Sequence, residues 1–536
     1  MRVLTIDEAI RRAAEQQPKK LALADPPNRD AIFGGAPKRL TWREVDQAID
    51  NLAAALSSLG AEPNVAVAVQ LPNVVELVLS ILACGRIGAI AVPFPIQHRR
   101  HELEYGLRAA SAEIIVTGAR PDRPDQLDTV SSVVGGLDRP VRVATFGSET
   151  TERATRLAID TSASTLVGSP TGPDEILTIC WTSGTTGTPK GVPRTPSMWL
   201  ASGYFQVDEL DLNQDDRILC PFPIVNMAGI GGMLVPWAVV GCALFLHQPL
   251  DLPVFLGQLA SEEITYTVAP PALLNMLLAN ESVLDGVDLS HLRKITSGAA
   301  PLDPWMVKGW NALGVEIVNV FGSNEGAALL STAASVPDPT ERARLFPRPT
   351  VEGIEIRLID LDSEEEIDEP GRPGELRFKG PTVFGGYLES SGAEFDDAGF
   401  FRTGDIFEWA DTSSEPWLLR FVDRAKDIII RGGMNISAAE LEGLIAGHES
   451  VADCAAIGYD DPTLGERVGI FVAPAGDSEP SLEAIVHHLR GIGIASYKLP
   501  ERLEIVDALP RNPLGKIAKN ELRDRWATAA PTEPSR

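Results

Sequence analysis

A repeated order of strand, helix and strand constrains the fold of this chain more than any other feature of its sequence. Within residues 65–94, a strand-like run VAVAVQL, a run with helical spacing NVVELVLSILACGRI and a second strand-like run AIAVPF follow one another. The same order recurs over residues 242–270 and 294–322. Two strands joined by a helix lie parallel in one sheet. We therefore predict an α/β body of parallel sheets with covering helices, extending to about residue 350.

The texture of the sequence changes after this body. From Gly353 the runs are short, alternate in polarity and are separated by acidic or glycine-containing turns, which predicts a small β subdomain of antiparallel strands. After RFVDRAKDIIIRGG, helical spacing within SAAELEGLIAG and SLEAIVHHLRGI indicates a smaller α+β domain. The predicted limits are an N-terminal domain at 1–421 with its β subdomain at about 353–421, a hinge at 422–426, and a C-terminal domain at 427–536 with a disordered tail from about 528.

Charge and cysteine content narrow the classes of function. The formal net charge of −27 argues against non-specific binding to nucleic acid or to an anionic membrane surface. The five cysteines form no CxxC pair and adjoin no histidine cluster, so the sequence indicates neither a disulfide framework nor a structural zinc site. The N-terminal twenty residues predict an amphipathic helix and lack the apolar core of a secretory signal. These features favour a cytoplasmic location.

One uncharged stretch raises the question of a membrane segment. Residues 221–250 contain no Asp, Glu, Lys or Arg, and the stretch is long enough to span a bilayer. Five glycine or proline residues between 229 and 241 interrupt it, and few basic residues flank it. We therefore predict a buried helix at Met227 to Val240 and a core strand at Ala243 to His247.

A segment rich in hydroxyl groups and glycine suggests a ligand. WTSGTTGTPKGVPRT, residues 181–195, contains six Ser or Thr, three glycines and one lysine, directly after the strand-like run EILTIC. Glycine N–H groups and short hydroxyl donors together bind phosphate. The segment is not a Walker A loop, because Pro189 precedes Lys190 and Gly191 follows it. Composition alone also allows a flexible surface connection.

Further motifs follow this segment in a fixed order. They are SGAAPL from Ser297, FGSNEGA from Phe321, FRTGD ending at Asp405, DRAKDIIIRGG from Asp423, and LPRNPLGKIAKNELR, which contains Lys516. Together with the segment at 181–195, they resemble the adenylate-forming superfamily of acyl-CoA synthetases, firefly luciferase and peptide-synthetase adenylation domains. The resemblance covers essentially the whole chain. It implies an N-terminal AMP-binding domain and a smaller, mobile C-terminal domain.

The resemblance also implies a reaction. A carboxylic acid and ATP would give an acyl-adenylate and pyrophosphate, and the acyl group would then pass to coenzyme A, with Mg²⁺ as the metal. One alternative is a stand-alone acyl-AMP ligase that loads a separate carrier protein, and another is a catalytically quiet nucleotide-binding protein. Whether the chain forms a homodimer is left open.

Roles for individual residues follow from the same resemblance. The expected catalytic residues are Lys516, Glu325, Thr185 and Asn324, with Glu325 as the magnesium ligand and Lys516 bridging the carboxylate and the α-phosphate. The expected nucleotide-binding residues are Thr182, Ser183, Gly184, Thr185, Thr186, Gly187, Lys190, Gly298, Ala299, Ala300, Phe321, Gly322, Ser323, Asp405 and Arg424. The remaining expected residues are Lys426 at the hinge, Gly432 and Gly433 beside coenzyme A, and Asn226, Met227 and Gly229 beside the acid.

Three positions depart from the family pattern. Asn226 stands where the family often has histidine or an aromatic residue, and Asn324 stands where threonine is usual. Phe321 replaces a common tyrosine but retains a ring that can stack on adenine. The amide of Asn324 can donate to the α-phosphate as a threonine hydroxyl would. No aspartate is placed in these motifs to bind an amino group, so we expect a hydrophobic or aromatic acid.

Overall fold

The computed structural model divides the chain into two units. The residues that it describes are 3–147, 154–164, 166, 168–182, 189–299, 302–349, 351–360, 363–410, 418–424, 428–476, 478–510, 517 and 519–528. The first unit comprises Met1–Ile96, Leu103–Thr182 and Gly191–Asp423, and the second comprises Gln97–Glu102, Ser183–Lys190 and Arg424–Arg536. The domain limits inferred from the sequence stay a prediction.

Helices and strands alternate along most of the chain up to residue 424. The helices are α1 (Ile6–Gln16), α2 (Arg29–Ile32), α3 (Trp42–Ser58), α4 (Val75–Arg86), α5 (Arg100–Ala109), α6 (Gln126–Gly135), α7 (Pro196–Leu210), a π-helix (Met227–Leu234), α8 (Val235–Val240), α9 (Leu252–Ser261), α10 (Pro271–Ala279), a 3₁₀ turn (Glu281–Val283), α11 (Pro304–Ala312) and α12 (Pro339–Arg342). The first strands are β1 (Leu21–Ala24), β2 (Arg39–Thr41), β3 (Ala66–Val69), β4 (Ile90–Pro93), β5 (Ile114–Gly118), β6 (Arg142–Phe146), β7 (Ala154–Arg156), β8 (Thr178–Thr182), β9 (Lys190–Arg194) and β10 (Arg217–Cys220). They are followed by β11 (Ala243–Leu246), β12 (Tyr266–Val268), β13 (Lys294–Gly298), β14 (Glu316–Gly322), β15 (Ala328–Ser331), β16 (Leu345–Phe346), β17 (Glu355–Ile359), β18 (Gly374–Lys379), β19 (Phe401–Trp409) and β20 (Leu419–Arg424).

Two largely parallel sheets form the body of the first unit, as predicted. Among the described residues, eight strands lie in the order β15–β14–β13–β12–β10–β11–β1–β2, and seven lie in the order β7–β6–β5–β3–β4–β8–β9. The repeat over residues 65–94 gives the parallel pair β3 and β4, joined by α4, and β13 and β14 are likewise parallel neighbours. The repeat over 242–270 differs, because β11 and β12 flank β10 instead of pairing with each other. Every residue of α4 is buried, which explains a helix with almost no polar face.

The β subdomain is antiparallel, also as predicted. Its strands lie in the order β16–β20–β19–β18–β17. The sheet reaches back to β16, before the predicted start at Gly353, because β16 pairs with β20. Phe378, Phe407 and Trp409 lie in its buried cluster. Val192 of β9 and Leu329 of β15 belong to the same cluster, so the subdomain shares this core with the α/β body.

The uncharged stretch at residues 221–250 is a buried helix followed by a strand. The π-helix continues directly into α8, Gly241 ends the helix with φ +73°, and β11 follows. The predicted helix at Met227 to Val240 is thus confirmed, although its first eight residues are wound as a π-helix. Within the described ranges, no helix is long and apolar enough to cross a membrane.

The second unit contains an α+β domain around one mixed sheet. Its strands are β21 (Ile428–Arg431), β22 (Met434–Ser437), β23 (Val451–Asp461), β24 (Gly465–Pro474) and β25 (Arg502–Ile505), and its helices are α13 (Ala438–Ile445), α14 (Leu482–Ile492), a 3₁₀ turn (Ser496–Lys498) and α15 (Lys519–Thr528). The strand order is β22–β21–β24–β23, with β25 parallel to β24. The two predicted helices are confirmed, and the predicted tail lies mostly outside the described residues.

Candidate active site

Several predicted site residues follow parallel strands of the eight-stranded sheet at their carboxyl ends. Asn226 comes after β10, Gly298 ends β13 and is followed by Ala299, and Phe321 and Gly322 end β14. Gly298 pairs in register with Val320, the residue before Phe321. Ligands of open α/β sheets bind in the crevice outside these strand ends. The fold therefore brings together segments that are almost a hundred residues apart in sequence.

The turn between β14 and β15 carries the predicted magnesium ligand. The Glu325 side chain is largely buried, with a relative exposure of 8%, and accepts a 2.8 Å hydrogen bond from the Tyr387 hydroxyl. The Glu325 carbonyl accepts a second bond of 2.8 Å from the backbone N–H of Phe384. Burial raises the pKa of Tyr387, and the nearby charge of Glu325 raises it further. The phenol of Tyr387 therefore stays protonated at neutral pH, and by donating its hydrogen bond it orients the Glu325 carboxylate.

Asn324 connects three separate segments of the site. Its Oδ1 accepts a 2.7 Å hydrogen bond from the backbone N–H of Met227, the first residue of the π-helix. Its Nδ2 donates a 3.1 Å bond to the carbonyl of Trp181, the first residue of the hydroxyl-rich segment. A threonine side chain is too short and has too few polar atoms to make both contacts. The family's usual residue could not form this bridge.

The predicted adenine and ribose contacts lie near each other. The Phe321 ring meets the Phe407 ring edge to face, with centroids 5.0 Å apart, and Asp405 lies two residues before Phe407 on β19. The register between β18 and β19 shifts between Glu375 and Arg377, where β19 bulges. Bulges re-aim side chains and are frequent beside active sites. Asp405 is half-buried at this bulge.

The segment expected to contact the acid begins with a helix cap. The Asn226 side chain accepts a 3.1 Å hydrogen bond from the backbone N–H of Gly229. A side-chain oxygen at this position satisfies one of the free N–H groups of the first turn. Asn226 and Met227 are half-buried, whereas Gly229 is buried. The local role of Asn226 is therefore to fix the start of the π-helix.

Part of the predicted site lies outside the described residues. The hydroxyl-rich segment begins within β8 and includes β9, with Thr182 the last residue of β8 and Lys190 the first residue of β9. Ser323 follows β14, and Arg424 is the last residue of β20. The predicted residues outside the described ranges are Ser183, Gly184, Thr185, Thr186, Gly187, Ala300, Lys426 and Lys516.

Gly432 and Gly433 form the turn of a β-hairpin in the second unit. Their φ angles are +56° and +79°, and the flanking residues Arg431 and Met434 pair with each other. A two-residue hairpin turn with positive φ at both positions favours glycine strongly. Gly432 is exposed and Gly433 is half-buried. The turn accounts for the missing side chains, and a contact with coenzyme A stays a prediction.

The residues present fit a magnesium ion that is bound partly by phosphate. Mg²⁺ prefers oxygen ligands and usually combines one or two carboxylates with substrate phosphates. Glu325 supplies such an oxygen, oriented by Tyr387. No cluster of three or more His, Cys, Asp or Glu side chains that could hold a metal is found among the residues described. Glu325 is thus the side chain that would hold the ion beside the phosphates.

Two residues of the site escaped the sequence analysis. Tyr387 lies in the segment GGYL, which the alternating pattern assigned only to the β subdomain. Arg194 is the last residue of β9, near the end of the hydroxyl-rich segment, and its side chain is completely buried. Nothing in the local sequence distinguishes a buried arginine from an exposed one. Only the hydroxyl-rich context of Arg194 offered a signal.

Comparisons with known proteins identify chains of similar sequence and structure. A family model described as AMP-binding enzyme matches residues 10–388, and its C-terminal domain model matches residues 440–516. The chain is 30% identical to an indoleacetate–CoA ligase of Aromatoleum aromaticum, over 97% of this chain and 98% of that protein. It is 30% identical to 4-coumarate-CoA ligase 1 of Narcissus pseudonarcissus, over 93% and 91%. The amide bond synthetase McbA from Marinactinospora thermotolerans superimposes with a TM-score of 0.81 at 25% identity, over 97% of this chain and 99% of that one.

Proposed function

Because the chain belongs to the AMP-binding enzyme family of adenylate-forming acyl-CoA synthetases, we propose that it activates a hydrophobic or aromatic carboxylic acid and transfers the acyl group to coenzyme A. The chain is an AMP-forming acid–thiol ligase. ATP, Mg²⁺ and coenzyme A are the usual requirements of acyl-CoA ligases in this family. In the proposed first step, a carboxylate oxygen bonds to the α-phosphorus of ATP as pyrophosphate leaves. In the second step, the thiol of coenzyme A displaces AMP from the acyl carbon.

The bridge made by Asn324 carries the proposal. The residues expected to contact acid, phosphate and metal are Met227, Thr182 and Glu325. Asn324 binds the backbone of Met227, binds the residue before Thr182, and precedes Glu325 in the chain. Acyl-adenylate formation needs an acid carboxylate, an α-phosphate and a metal ion held in one arrangement. A single side chain that fixes all three segments supports this reaction.

The apolar character of the acid segment supports the class of substrate. Residues 221–250 contain no Asp, Glu, Lys or Arg, and Met227 and the buried Ile230 lie at the start of the π-helix. Binding an α-amino group in a buried site would require a carboxylate partner. The names of the two ligase relatives refer to the aromatic acids indoleacetate and 4-coumarate. An acid with a hydrophobic or aromatic body suits such a segment.

A panel of acids tests the proposal. The first half-reaction is followed by acid-dependent exchange of labelled pyrophosphate into ATP, with aryl acids, medium- and long-chain fatty acids, and α-amino acids supplied in parallel. We expect exchange with members of the first two groups and none with amino acids. A preference for an α-amino acid would overturn the proposed substrate class. If none of the acids supports exchange, the result would favour a catalytically quiet nucleotide-binding protein.

The acyl acceptor needs a separate measurement. A carrier protein is the alternative acceptor implied by the sequence motifs, and the similarity to an amide bond synthetase makes an amine a further candidate. With the best acid in hand, the enzyme is given coenzyme A, a phosphopantetheinylated carrier protein or a simple amine, and the products are identified by mass spectrometry. We expect the acyl-CoA thioester to accumulate fastest. Faster formation of acyl-carrier or amide would correct the second step only.

A further inference from the structure

Arg194 is a buried arginine that binds backbone carbonyls rather than a carboxylate. Its relative exposure is 0%, and its guanidinium lies 4.4 Å from the centroid of the Trp199 ring. Its hydrogen-bond acceptors are the carbonyls of Asn324 (3.0 Å), Thr382 (2.8 Å) and Met198 (3.3 Å) and the hydroxyl of Ser202 (3.1 Å). In the part of the chain that the structure describes, no carboxylate lies within ion-pair distance of it.

Burying the charged guanidinium of Arg194 costs folding free energy, which indicates that the charge has a function. Burial lowers the pKa of Arg194 to about 10, while the nearby negative charge of Glu325 acts in the opposite direction. The guanidinium is therefore still charged at neutral pH. A residue needed only for packing would be apolar, because burying a charge without an ionic partner opposes folding.

The position of the guanidinium explains what the charge does. Arg194 is the last residue of β9, near the end of the hydroxyl-rich segment. Its guanidinium binds the Asn324 carbonyl and so holds the turn that carries Glu325. Through the Thr382 carbonyl, it also holds the strand-to-strand connection that supplies Tyr387, the donor to Glu325. These are the two chain segments that orient the Glu325 carboxylate.

Close packing leaves no room for a looser arrangement. A Cβ added to Gly326, the residue after Glu325, would lie 1.8 Å from the Thr382 carbonyl oxygen and 2.7 Å from Nη1 of Arg194. The planar fork of a guanidinium can bind several fixed acceptors at once, which the single ammonium of lysine cannot reproduce. The turn, the connection and the end of β9 therefore form one rigid group.

We propose that Arg194 is a positioning residue that fixes the Glu325 carboxylate for magnesium-bound ATP by clamping the carbonyls of Asn324 and Thr382. This inference rests on the proposed function for the identity of the nucleotide and the metal. The magnesium dependence of nucleotide binding then depends on Arg194 of β9, which is not among the residues expected to contact the ion. Partners that orient a metal ligand typically change metal affinity by about ten- to a hundredfold when removed.

Calorimetric titration with ATP, in excess Mg²⁺ and separately in EDTA, tests the proposal without requiring an acid. For Arg194→Met we expect binding in Mg²⁺ to weaken by about tenfold, with binding in EDTA changed far less. For Arg194→Lys we expect an intermediate loss in Mg²⁺, because the charge remains but the fork is gone. Equal weakening in both buffers, or no weakening, would overturn the proposal.

Arg342→Met is the matched control. Arg342 is also fully buried and donates to the carbonyls of Ile317, Val336 and Pro337, but within the described ranges it makes no hydrogen bond to β9, Asn324 or Thr382. Its replacement should leave the ratio of the two affinities unchanged while lowering thermal stability. If Arg194→Met does not fold, Arg194→Lys decides, and an unchanged ratio in that variant would overturn the proposal. Failure of the wild-type enzyme to adenylate any hydrophobic acid would refute the proposed function and leave this measurement valid.

Discussion

Asn324 shows at the scale of one residue how this chain departs from its family. The sequence motif suggested that its amide replaces a threonine hydroxyl as a donor to the α-phosphate. In the structure, Oδ1 and Nδ2 instead bind the backbones of Met227 and Trp181. The two roles make opposite predictions for a threonine at this position, because threonine keeps a donor but cannot span both partners.

We expect Asn324→Thr to lose adenylation activity by about tenfold or more, since removing one of these partly buried hydrogen bonds leaves its partner unsatisfied at a cost of about 1–3 kcal/mol. The measurement is the kcat of pyrophosphate exchange with the best acid. Asn319→Ala is a suitable control, because that amide is buried in nearby β14 and binds the carbonyls of Arg342 and Ala343 instead. Activity of Asn324→Thr equal to wild type would show that phosphate donation, not the bridge, is the function of the residue.

The π-helix is the element on which the acid segment depends. Gly229 packs so closely on the preceding loop that an added Cβ would lie 2.2 Å from the Pro223 carbonyl oxygen and 2.7 Å from the Ile224 Cα. Asn226 caps the same turn through the Gly229 N–H. The loop is backbone at the point of contact, so it cannot give way as a flexible side chain could. The helix start is therefore held in one place.

Gly229→Ala should move this helix start, while the turn that carries Glu325 stays held by its hydrogen bonds with Tyr387 and Arg194. We expect the KM for the acid to rise by about tenfold, because small displacements of a bound reactant are costly, and the KM for ATP to change little. Gly232→Ala is the control: it lies in the same π-helix, but its added Cβ would approach only the Met227 carbonyl oxygen, at 3.9 Å. A comparable rise in both variants, or a larger effect on ATP, would contradict this account.

Elements could be predicted from the sequence better than the connections between them. The spacing of apolar residues was enough to predict α4, β13, β14 and the helix at Met227 to Val240. An element that is buried on one face or on all faces shows this burial in the pattern of its own residues. The π winding and the placement of β11 and β12 on both sides of β10 leave no such trace. The family resemblance predicted Glu325 and Asp405 as site residues, whereas Tyr387 and Arg194 make contacts between distant segments that no local motif indicates.

At the scale of the whole molecule, the two units have separate cores. In the second unit, one cluster lies around Ile429, Val468 and Leu489, and another packs Trp526 of α15 against Phe471, with ring centroids 4.3 Å apart. Ile517 packs against the latter cluster. Its neighbour Lys516 lies outside the described residues, so its role stays a prediction from the sequence motif.

Lys516→Ala is expected to separate the two half-reactions. A cation placed where a carboxylate and an α-phosphate converge lowers the barrier of the first step only, so we expect that step to slow by about a hundredfold or more. The second step requires no such cation, and the family resemblance implies that it uses a different orientation of the C-terminal domain. Thioester formation from supplied acyl-adenylate and coenzyme A should therefore be nearly unchanged. Pyrophosphate release from acid and ATP measures the first step, and thioester yield measures the second. Lys308→Ala, which removes a surface lysine of α11, controls for the loss of charge. An equal loss in both assays would mean that Lys516 supports folding or general anion binding, and it would remove this residue from the catalytic site.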